Sequence, residues 1–253
     1  MKNWERFLWP LLAFVAALAI WQAAVNWTET RIFPTPIQVI LGLRELALKG
    51  LLLSYVRDSL ARVSAGYLTA VVLGIPVGLL LGWYPAAAEA FNPVIQMIRP
   101  ISPLAWIPVA IIWCGVGSLT AVFLIFVASL FPIVVSTITG VRNVPSMFQN
   151  AGQNFGLAPV AVLWRVILPA ALPQILIGLR IALGITWLVV VAAEMIAVDS
   201  GLGYLIIDAR NAGKRYDLVV AGMLLIGLIG LCLDSGMRRL ERLECIRWGF
   251  SND

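Results

Sequence analysis

The sequence predicts an all-α membrane protein with about six transmembrane helices, and three observations lead to this fold class. Of the 253 residues, 61% are hydrophobic and 12% are charged, whereas soluble domains are about half apolar and about a quarter charged. The mean hydropathy is +0.93. The apolar residues also gather into runs near the roughly 20 residues that a helix needs to cross a bilayer. The chain therefore belongs among polytopic membrane proteins.

Six apolar runs are predicted to cross the membrane. In chain order they are 7–27, 62–83, 103–114 with its flanks, 119–140, 175–198 and 218–233. A cleaved signal peptide is the alternative for the first run, but its apolar stretch would be shorter, roughly 7–15 residues. We therefore favour an uncleaved span. The sequence Gly-Val-Gly-Ser at 115–118 is predicted to form the tight turn between the third and fourth runs.

The loops divide the chain into three parts. Residues 1–58 are expected to form a span and an outer connector, in which the amphipathic piece 37–48 lies at the membrane interface. Residues 59–240 form the membrane core, with a cytoplasmic loop at 141–174, and residues 241–253 form a cytoplasmic tail. The segments that this arrangement places inside are 1–6, 84–99, 141–174 and 234–253. They hold more Lys and Arg than the outer loops, which predicts that both termini are cytoplasmic.

The composition argues against several classes of function. Histidine is absent, so histidine-based metal centres and histidine general bases are excluded. The three cysteines, Cys114, Cys232 and Cys245, lie far apart in the sequence. We therefore predict no metal site and no catalytic residues. The net charge of +5 is explained by basic cytoplasmic loops, so no nucleic-acid partner is predicted.

The cytoplasmic loop carries helix signals of its own. Ser146 and Gln149 have the spacing of a capping box, which predicts the start of a short helix. Gly156 is predicted to end that helix with a positive φ, which glycine adopts without steric cost. A second short helix is predicted over 159–168, and Pro169 is predicted to end it. We call this helix–glycine–helix segment the elbow. On its pattern alone, it is either a rigid knob for a partner protein or a surface loop without one.

The elbow resembles the cytoplasmic loop of ABC importer permeases, in which E-A-A is followed by three residues, a glycine and, further along, Leu-Pro. Here 150–152 stands at the E-A-A, with Asn150 in place of Glu and Gly152 in place of the second Ala. Gly156 and the Leu-Pro at 168–169 match. Other segments, distributed along nearly the whole chain, are similar to the sulfonate, taurine, nitrate and bicarbonate branch of that family: 33–39, 59–82, 99–117, 167–195 and 201–223.

The resemblance implies a type I ABC importer permease fold in the bacterial cytoplasmic membrane. It further implies a homodimer of permeases, separate ATPase subunits that bind ATP and magnesium, and a solute-binding protein outside. The transported substrate would be a small anion, moved by alternating access. In such a complex the elbow would contact the ATPase, and the residues implied in this coupling are Asn150, Ala151, Gly152, Phe155, Gly156, Leu157, Pro159, Leu168 and Pro169.

The chain itself lacks the pattern of a phosphate-binding loop, G-x-x-x-x-G-K-[ST]. Its one Gly-Lys pair is Gly213-Lys214, which is followed by Arg215. Asp208 stands where the first glycine of the pattern would be. We therefore expect no ATP hydrolysis by this chain and no cofactor of its own.

Three glycines, Gly74, Gly78 and Gly82, recur every four residues on one helix face. Small residues let helices approach closely in lipid. Packing within one subunit and packing between two permease copies are both consistent with this spacing.

Two further features are candidates for the translocation pathway. The proline-rich segment that holds Pro103, Trp106 and Pro108 is predicted to line the inner mouth, because irregular backbone at membrane depth needs protein or a water-filled cavity around it. A simple entry turn is the alternative. Glu194 is an intramembrane carboxylate, which usually faces the bundle interior or water. We expect it to be structural or gating, paired with a basic residue such as Arg62.

Two other function classes are alternatives to an importer subunit. A stand-alone secondary carrier or channel would more often show an inverted repeat with discontinuous helices, and none is evident in the sequence. An intramembrane enzyme would need a cluster of catalytic groups.

No residue of the sequence discriminates among the candidate anions.

Overall fold

The computed structural model describes residues 5–28 and 33–241, and the regular elements in these ranges are helical. The α-helices are α1 (Glu5–Thr28), α2 (Pro36–Leu48), α3 (Leu51–Trp83), α4 (Pro85–Ile98), α5 (Ile107–Cys114), α6 (Ser118–Arg142), α7 (Ser146–Asn154), α8 (Pro159–Val162), α9 (Leu168–Ala197), α10 (Leu202–Gly213) and α11 (Tyr216–Glu241). A 3-10 turn at Pro103–Trp106 precedes α5, and a π-helical turn at Leu163–Ile167 joins α8 to α9. The predicted tail lies outside the described residues apart from Glu241.

The all-α membrane fold is confirmed. Within the described ranges, four helical stretches are long and apolar enough to cross a membrane, namely α3, α6, α8 through α9, and α11. A fifth span is formed by α4 and Pro103–Cys114 if this pair, bent by 85°, is counted as one. The apolar part of α1, Leu11–Trp27, is shorter. The six predicted runs fall on these helices to within one residue.

The centre of the bundle is formed by α3, α6 and α9. Along their contact Gly66 of α3 lies against Ile125 of α6, and Gly82 lies against Val141, so α3 and α6 run parallel. Two parallel neighbours need a connection that returns across the bundle. The chain from α4 to α5 makes that return, and it does so with a bend.

The third central helix, α9, runs antiparallel to α6. Near its start Ala171 packs against Gly140, and further along the Thr186 and Ser129 hydroxyls form a hydrogen bond of 2.6 Å. The bundle thus has two ends. The elbow lies at one, which we call the elbow end. The other, which we call the ion-pair end, holds Glu194 near the end of α9.

The connector before the core is more helical than predicted. The amphipathic piece is confirmed as a helix, α2, which begins with a capping box between Thr35 and Gln38. However, α3 begins at Leu51, well before the predicted 62. Gly50, with φ +68°, separates the two helices. Arg57 and Asp58 interrupt the apolar run, and the predicted span therefore began after them. Charged residues do not stop a helix, so α3 itself begins earlier.

The prediction that Pro169 ends a helix is wrong. Residues Pro159–Ala197 form one helical stretch. A proline inside an α-helix lacks an N–H group and clashes with the carbonyl four residues earlier. Here the π-helical turn at Leu163–Ile167 widens the helix before the proline, and Pro169 occupies the first turn of α9. The proline therefore begins the next segment of the same stretch.

Candidate functional site

The elbow reverses the chain through a Schellman motif after α7. The Leu157 N–H donates to the Gly152 carbonyl at 3.1 Å, and the Gly156 N–H donates to the Gln153 carbonyl at 2.9 Å. This pair of bonds requires a left-handed residue after the helix. Gly156 has φ +76°, so the predicted positive φ is confirmed.

The capping box predicted at the start of α7 is wrong, although the helix does begin at Ser146. The extended residue at the N-cap position is Pro145, with ψ 136°, and no side chain caps this end. A capping box needs its Ser or Thr at the N-cap position. Ser146 is already helical, so its hydroxyl is one position too late.

The inner side of the elbow is anchored to the spans. Val162 and Ile167 are fully buried. They belong to a cluster that joins the elbow to α3, α6 and α9, with buried members Leu79, Val141, Val144, Val162, Leu163, Ile167, Ala171 and Ile175. Because such a core is close-packed, a displacement of the elbow is transmitted to the helices that it contacts.

The degenerate E-A-A sequence has a packing explanation at one of its two changed positions. Gly152 is buried, and a Cβ atom there would lie 3.3 Å from a Val162 methyl group. Glycine therefore suits this contact better than the alanine of the family pattern. Asn150, the other changed residue, is exposed, and the structure gives no packing reason for it.

The outer side of the elbow presents apolar side chains. Phe155 is 86% exposed and Met147 is 69% exposed. Three more large apolar residues are exposed on the same segment, namely Phe148, Val160 and Trp164. Exposed apolar residues that cluster in this way mark interaction surfaces.

The structure distributes the nine predicted coupling residues between these two sides. Those that are exposed are Asn150, Phe155, Gly156, Pro159 and Pro169. Those that are half-buried are Ala151, Leu157 and Leu168, and Gly152 is buried. The sequence pattern missed Met147, Val160 and Trp164, because a motif defined by its glycine and Leu-Pro does not mark the variable apolar positions beside them.

At the ion-pair end, Glu194 is fully buried and forms an ion pair of 2.7 Å with Arg62. The pairing expected from the sequence is therefore confirmed. The Ser59 hydroxyl donates to both carboxylate oxygens, at 2.8 and 2.9 Å, and the Gly203 N–H donates at 3.0 Å. Every oxygen of the carboxylate has a partner, which is the condition under which a charge is tolerated in an apolar interior.

The same network fixes α10 against the bundle. Arg62 also donates to the Ser200 carbonyl at 2.9 Å and to the Ser118 hydroxyl at 3.1 Å. Gly201, with φ +103°, lets the chain pass so close that a Cβ atom there would overlap the Glu194 carboxylate. Ser59, Ser200, Gly201 and Gly203 were missed by sequence reasoning, because their positions near Glu194 depend on the packing of α3 and α10.

The glycine stripe packs within the chain. A Cβ atom at Gly78 would lie 2.5 Å from Cβ of Thr137, and one at Gly74 would lie 3.0 Å from an Ile133 methyl group. Gly82 meets Val141 in the same way. The stripe is therefore covered by α6 of the same chain and is not available to a second copy.

The proline-rich segment lies deeper than predicted. The prediction placed it at the start of a span, but α4 has already carried the chain part of the way across before the bend. Pro103 lines a cavity of about 280 Å³ beside the middle of α6 and α9. Trp106 packs against the cluster that contains Ala110 and Ala121 and does not line that cavity, and Pro108 is exposed. Of the three predicted pathway residues in this segment, the cavity thus holds one.

A second ionic cluster joins α9 to α11. Asp234 and Arg238, four residues apart on α11, form an ion pair of 2.9 Å. Arg180 of α9 adds contacts to Asp234 at 2.7 Å and to Glu241 at 3.3 Å. Arg180 was missed because its partners are more than 50 positions away in sequence, where helical spacing gives no guidance.

Comparison with known proteins identifies the family. Residues 71–243 match the family described as binding-protein-dependent transport system inner membrane component. The chain belongs to this family. It is 35% identical to the taurine transport system permease protein TauC of Escherichia coli, over 94% of this chain and 91% of that protein. It is 34% identical to the nitrate import permease protein NrtB of Synechocystis, over 92% of this chain and 88% of that protein.

The fold agrees with this family assignment. The chain of an inward-facing structure of the methionine ABC transporter MetNI superposes with a TM-score of 0.66 at 21% identity. The match covers 78% of this chain and 97% of that one. The protein is thus a multi-pass transport permease of the ABC importer class, and permeases of this class work with an ATPase and a binding protein.

Proposed function

We propose that this permease imports a small anion of the sulfonate, taurine, nitrate or bicarbonate type. Two copies form a homodimer in the bacterial cytoplasmic membrane, and each copy binds one ATPase subunit that holds ATP and magnesium. A solute-binding protein delivers the anion from outside. Closure of the ATPase pair moves the two elbows and reorients the spans by alternating access.

The elbow is the observation that carries this proposal. It joins an exposed apolar surface, which includes Phe155, to a buried cluster that contains residues of α3, α6 and α9. A partner that binds the exposed side therefore acts directly on the central helices. Residues such as Val162 and Ile167 would transmit that displacement, because they are fully buried between the elbow and the spans.

The choice of anion rests on the relatives. TauC is named for taurine and NrtB for nitrate, and both substrates are small and carry an anionic group. The two relatives cover nearly the whole chain, so the similarity includes the spans as well as the elbow. The orientation follows from the same scheme, in which the elbow end and both termini face the cytoplasm.

Reconstitution tests the proposal. The permease is purified with its ATPase, inserted into vesicles and supplied with binding protein loaded with taurine, an alkanesulfonate, nitrate or bicarbonate. We expect ATP-dependent uptake of at least one of these anions, and ATPase activity that rises with the loaded binding protein. Uptake that needs no ATP, driven only by an ion gradient, would contradict the proposal.

A second experiment locates the contact with the ATPase. Phe155→Ser removes the most exposed aromatic side chain of the elbow without touching the buried cluster, so the spans should fold normally while the ATPase is lost on purification. Leu48→Ser is the matched control, because Leu48 is 77% exposed but lies on α2. The isolated permease should hydrolyse no ATP in either form. Equal retention of the ATPase by both variants would place the contact elsewhere.

A further inference from the structure

We propose that Arg99 and Ser136 form an anion-binding site inside the permease, in the cavity beside the broken span. This inference rests on the proposed import of an anion. It goes further, because it assigns the permease a recognition site of its own. Sequence reasoning placed Arg99 in a cytoplasmic segment and did not consider it for the pathway.

The position of Arg99 follows from the bend between α4 and α5. Arg99 caps the end of α4, and the chain turns there by 85°. Pro100 and Pro103 follow within four residues, and neither can donate a backbone hydrogen bond to continue the helix. Irregular backbone of this kind is tolerated at membrane depth only where it lines a cavity or is covered by protein. Arg99 is one of the residues that line the cavity of about 280 Å³.

The cavity lies beside the middle of two helices that are long and apolar enough to cross the membrane, α6 and α9. On α6 it is lined by Pro132, which is about 21 Å from one end of that helix and about 15 Å from the other at 1.5 Å per residue. On α9 it is lined by Ile181 and Ile185, which are also near the middle of their helix. An arginine at this depth is costly and is retained where it faces a polar pathway.

Arg99 has no counterion within the described part of the chain. The other arginines near the core, Arg62 and Arg180, are paired with carboxylates, whereas the ion pairs of the described residues do not include Arg99. In the sequence, the nearest charged residues are Glu89 before Arg99 and Arg142 after it. Neither is within a helical turn of Arg99. The guanidinium therefore brings an uncompensated positive charge to the cavity wall.

The rest of the lining suits a small oxyanion. Most of it is apolar, and it includes Val127, Phe131 and Val135. Ser136 contributes a hydroxyl, and among the described residues this hydroxyl has no hydrogen-bond partner. A guanidinium offers parallel N–H donors that match two oxygens of a sulfonate, nitrate or carboxylate. An apolar wall with a few convergent polar groups is typical of small-molecule sites.

The first test measures transport in the reconstituted complex. Arg99→Gln should lower the maximal rate of anion uptake about tenfold or more, because a charged hydrogen bond to the substrate is lost. Stimulation of the ATPase by loaded binding protein should remain, since the elbow is unchanged. Arg99→Lys should restore part of the uptake. Arg239→Gln is the control, because Arg239 is exposed on α11, away from the cavity. Wild-type uptake by Arg99→Gln would overturn the proposal.

The second test does not depend on transport. In a chain whose three cysteines are replaced by alanine, Ser136→Cys is labelled with negatively and positively charged methanethiosulfonates. We expect faster reaction with the negative reagent, a preference that disappears when Arg99→Gln is added, and slower labelling in excess nitrate or taurine. Ser235→Cys, exposed on α11, should show none of these effects.

The two tests separate the proposals. If no anion is taken up by the wild-type complex, the proposed substrate class fails, and the labelling still decides whether the cavity binds anions. If the thiol introduced by Ser136→Cys is unreactive, or if its reactivity is indifferent to Arg99, the anion site is refuted even where uptake is normal.

Discussion

The Arg62 guanidinium donates a hydrogen bond of 2.7 Å to the Glu194 carboxylate, although the two residues are 132 positions apart in the chain. The contact joins α3 to α9 at the ion-pair end, and the side chains of the pair are 7% and 0% exposed. With Ser59 and the Gly203 N–H, it holds three helices together, namely α3, α9 and α10. A carboxylate so fully enclosed is a structural element of the ion-pair end of the bundle.

Replacement of Glu194 by leucine should therefore destabilise the permease strongly. Loss of one partner leaves the Arg62 charge buried without compensation, which typically costs about 3–5 kcal/mol. Glu194→Gln also removes the counter-charge of Arg62 and puts an NH2 group opposite a donor, so it should lose stability too. The loss should be smaller than for leucine, because the amide oxygen still accepts hydrogen bonds from Ser59 and Arg62. Thermal unfolding in detergent, with yield of assembled complex, measures both effects.

The same pair of variants distinguishes structure from gating. If Glu194→Gln assembles and is stable but takes up no anion, the carboxylate has a role in the transport cycle that its hydrogen bonds alone do not explain. Normal uptake by this variant would agree with the structural role.

A second prediction concerns the glycine stripe on α3. Gly78→Ala would place a Cβ atom 2.5 Å from Cβ of Thr137, and overpacking of this kind typically costs about 1–3 kcal/mol. Gly227→Ala, in α11, is the matched control, because a Cβ atom there has no neighbour within 4 Å. That substitution should be neutral or stabilise by about 0.5–1 kcal/mol through helix propensity. Unfolding temperatures that fall equally would contradict this packing account.

A third prediction uses the ion pair between α2 and the loop before α11. Glu45 accepts from Arg215 at 2.6 Å and from Lys49 at 2.6 Å, and these hydrogen bonds lower the pKa of Glu45 from its ordinary 4.5 to about 2. A lowered pKa stabilises the folded state above pH 4.5, and this contribution is lost as the pH falls from 4.5 towards 2.

The unfolding temperature of the wild type should therefore exceed that of Glu45→Gln at pH 7, and the difference should shrink below about pH 4.5. The effect should be small, because the pair is partly exposed, and smaller still in about 0.5 M salt. A difference that grows as the pH falls would contradict the assigned pairing.

The parts of this fold that could be predicted from sequence are those fixed by local chemistry. Hydrophobic runs located the spans, because each must cover the bilayer thickness, and Gly156 located the elbow turn, because its φ suits glycine. The intramembrane cost of Glu194 was enough to predict a basic partner. Each of these inferences needed only the residues of one segment.

The features that were missed depend on contacts between distant segments. Pro169 was predicted to end a helix because proline usually does so. The π-helical turn at Leu163–Ile167, which widens the helix before this proline, cannot be read from composition. The position of Arg99 beside the middle of α6 depends on the bend between α4 and α5. The sequence prediction counted residues 84–99 as a loop and therefore placed Arg99 in the cytoplasm. Two partners of Glu194 were missed: Gly203 comes from α10, a helix that lacked a sequence signal of its own, and Ser59 lies on α3 before the predicted start of that span.

The last prediction tests whether the elbow couples. Gly156 has φ +76°, and a Cβ atom there would have no neighbour within 4 Å. Gly156→Val should therefore cost about 1–3 kcal/mol of local backbone strain, with no steric clash inside the chain. Gly50, with φ +68° and equally open surroundings, is a matched control at another turn, because Gly50→Val carries the same strain away from the elbow.

We expect both variants to insert and fold, but only Gly156→Val should lose ATP-driven uptake. Either the ATPase is lost on purification, or it hydrolyses ATP without responding to the loaded binding protein. Gly156→Asn should keep more activity than Gly156→Val, because asparagine tolerates the left-handed conformation. Asn150→Glu, an exposed change, should be tolerated. If Gly156→Val takes up the anion at the wild-type rate, the elbow is an ordinary loop and the coupling proposal is wrong. Equal losses in both glycine variants would trace the defect to backbone strain and not to coupling, since strain is the property that Gly50 and Gly156 share.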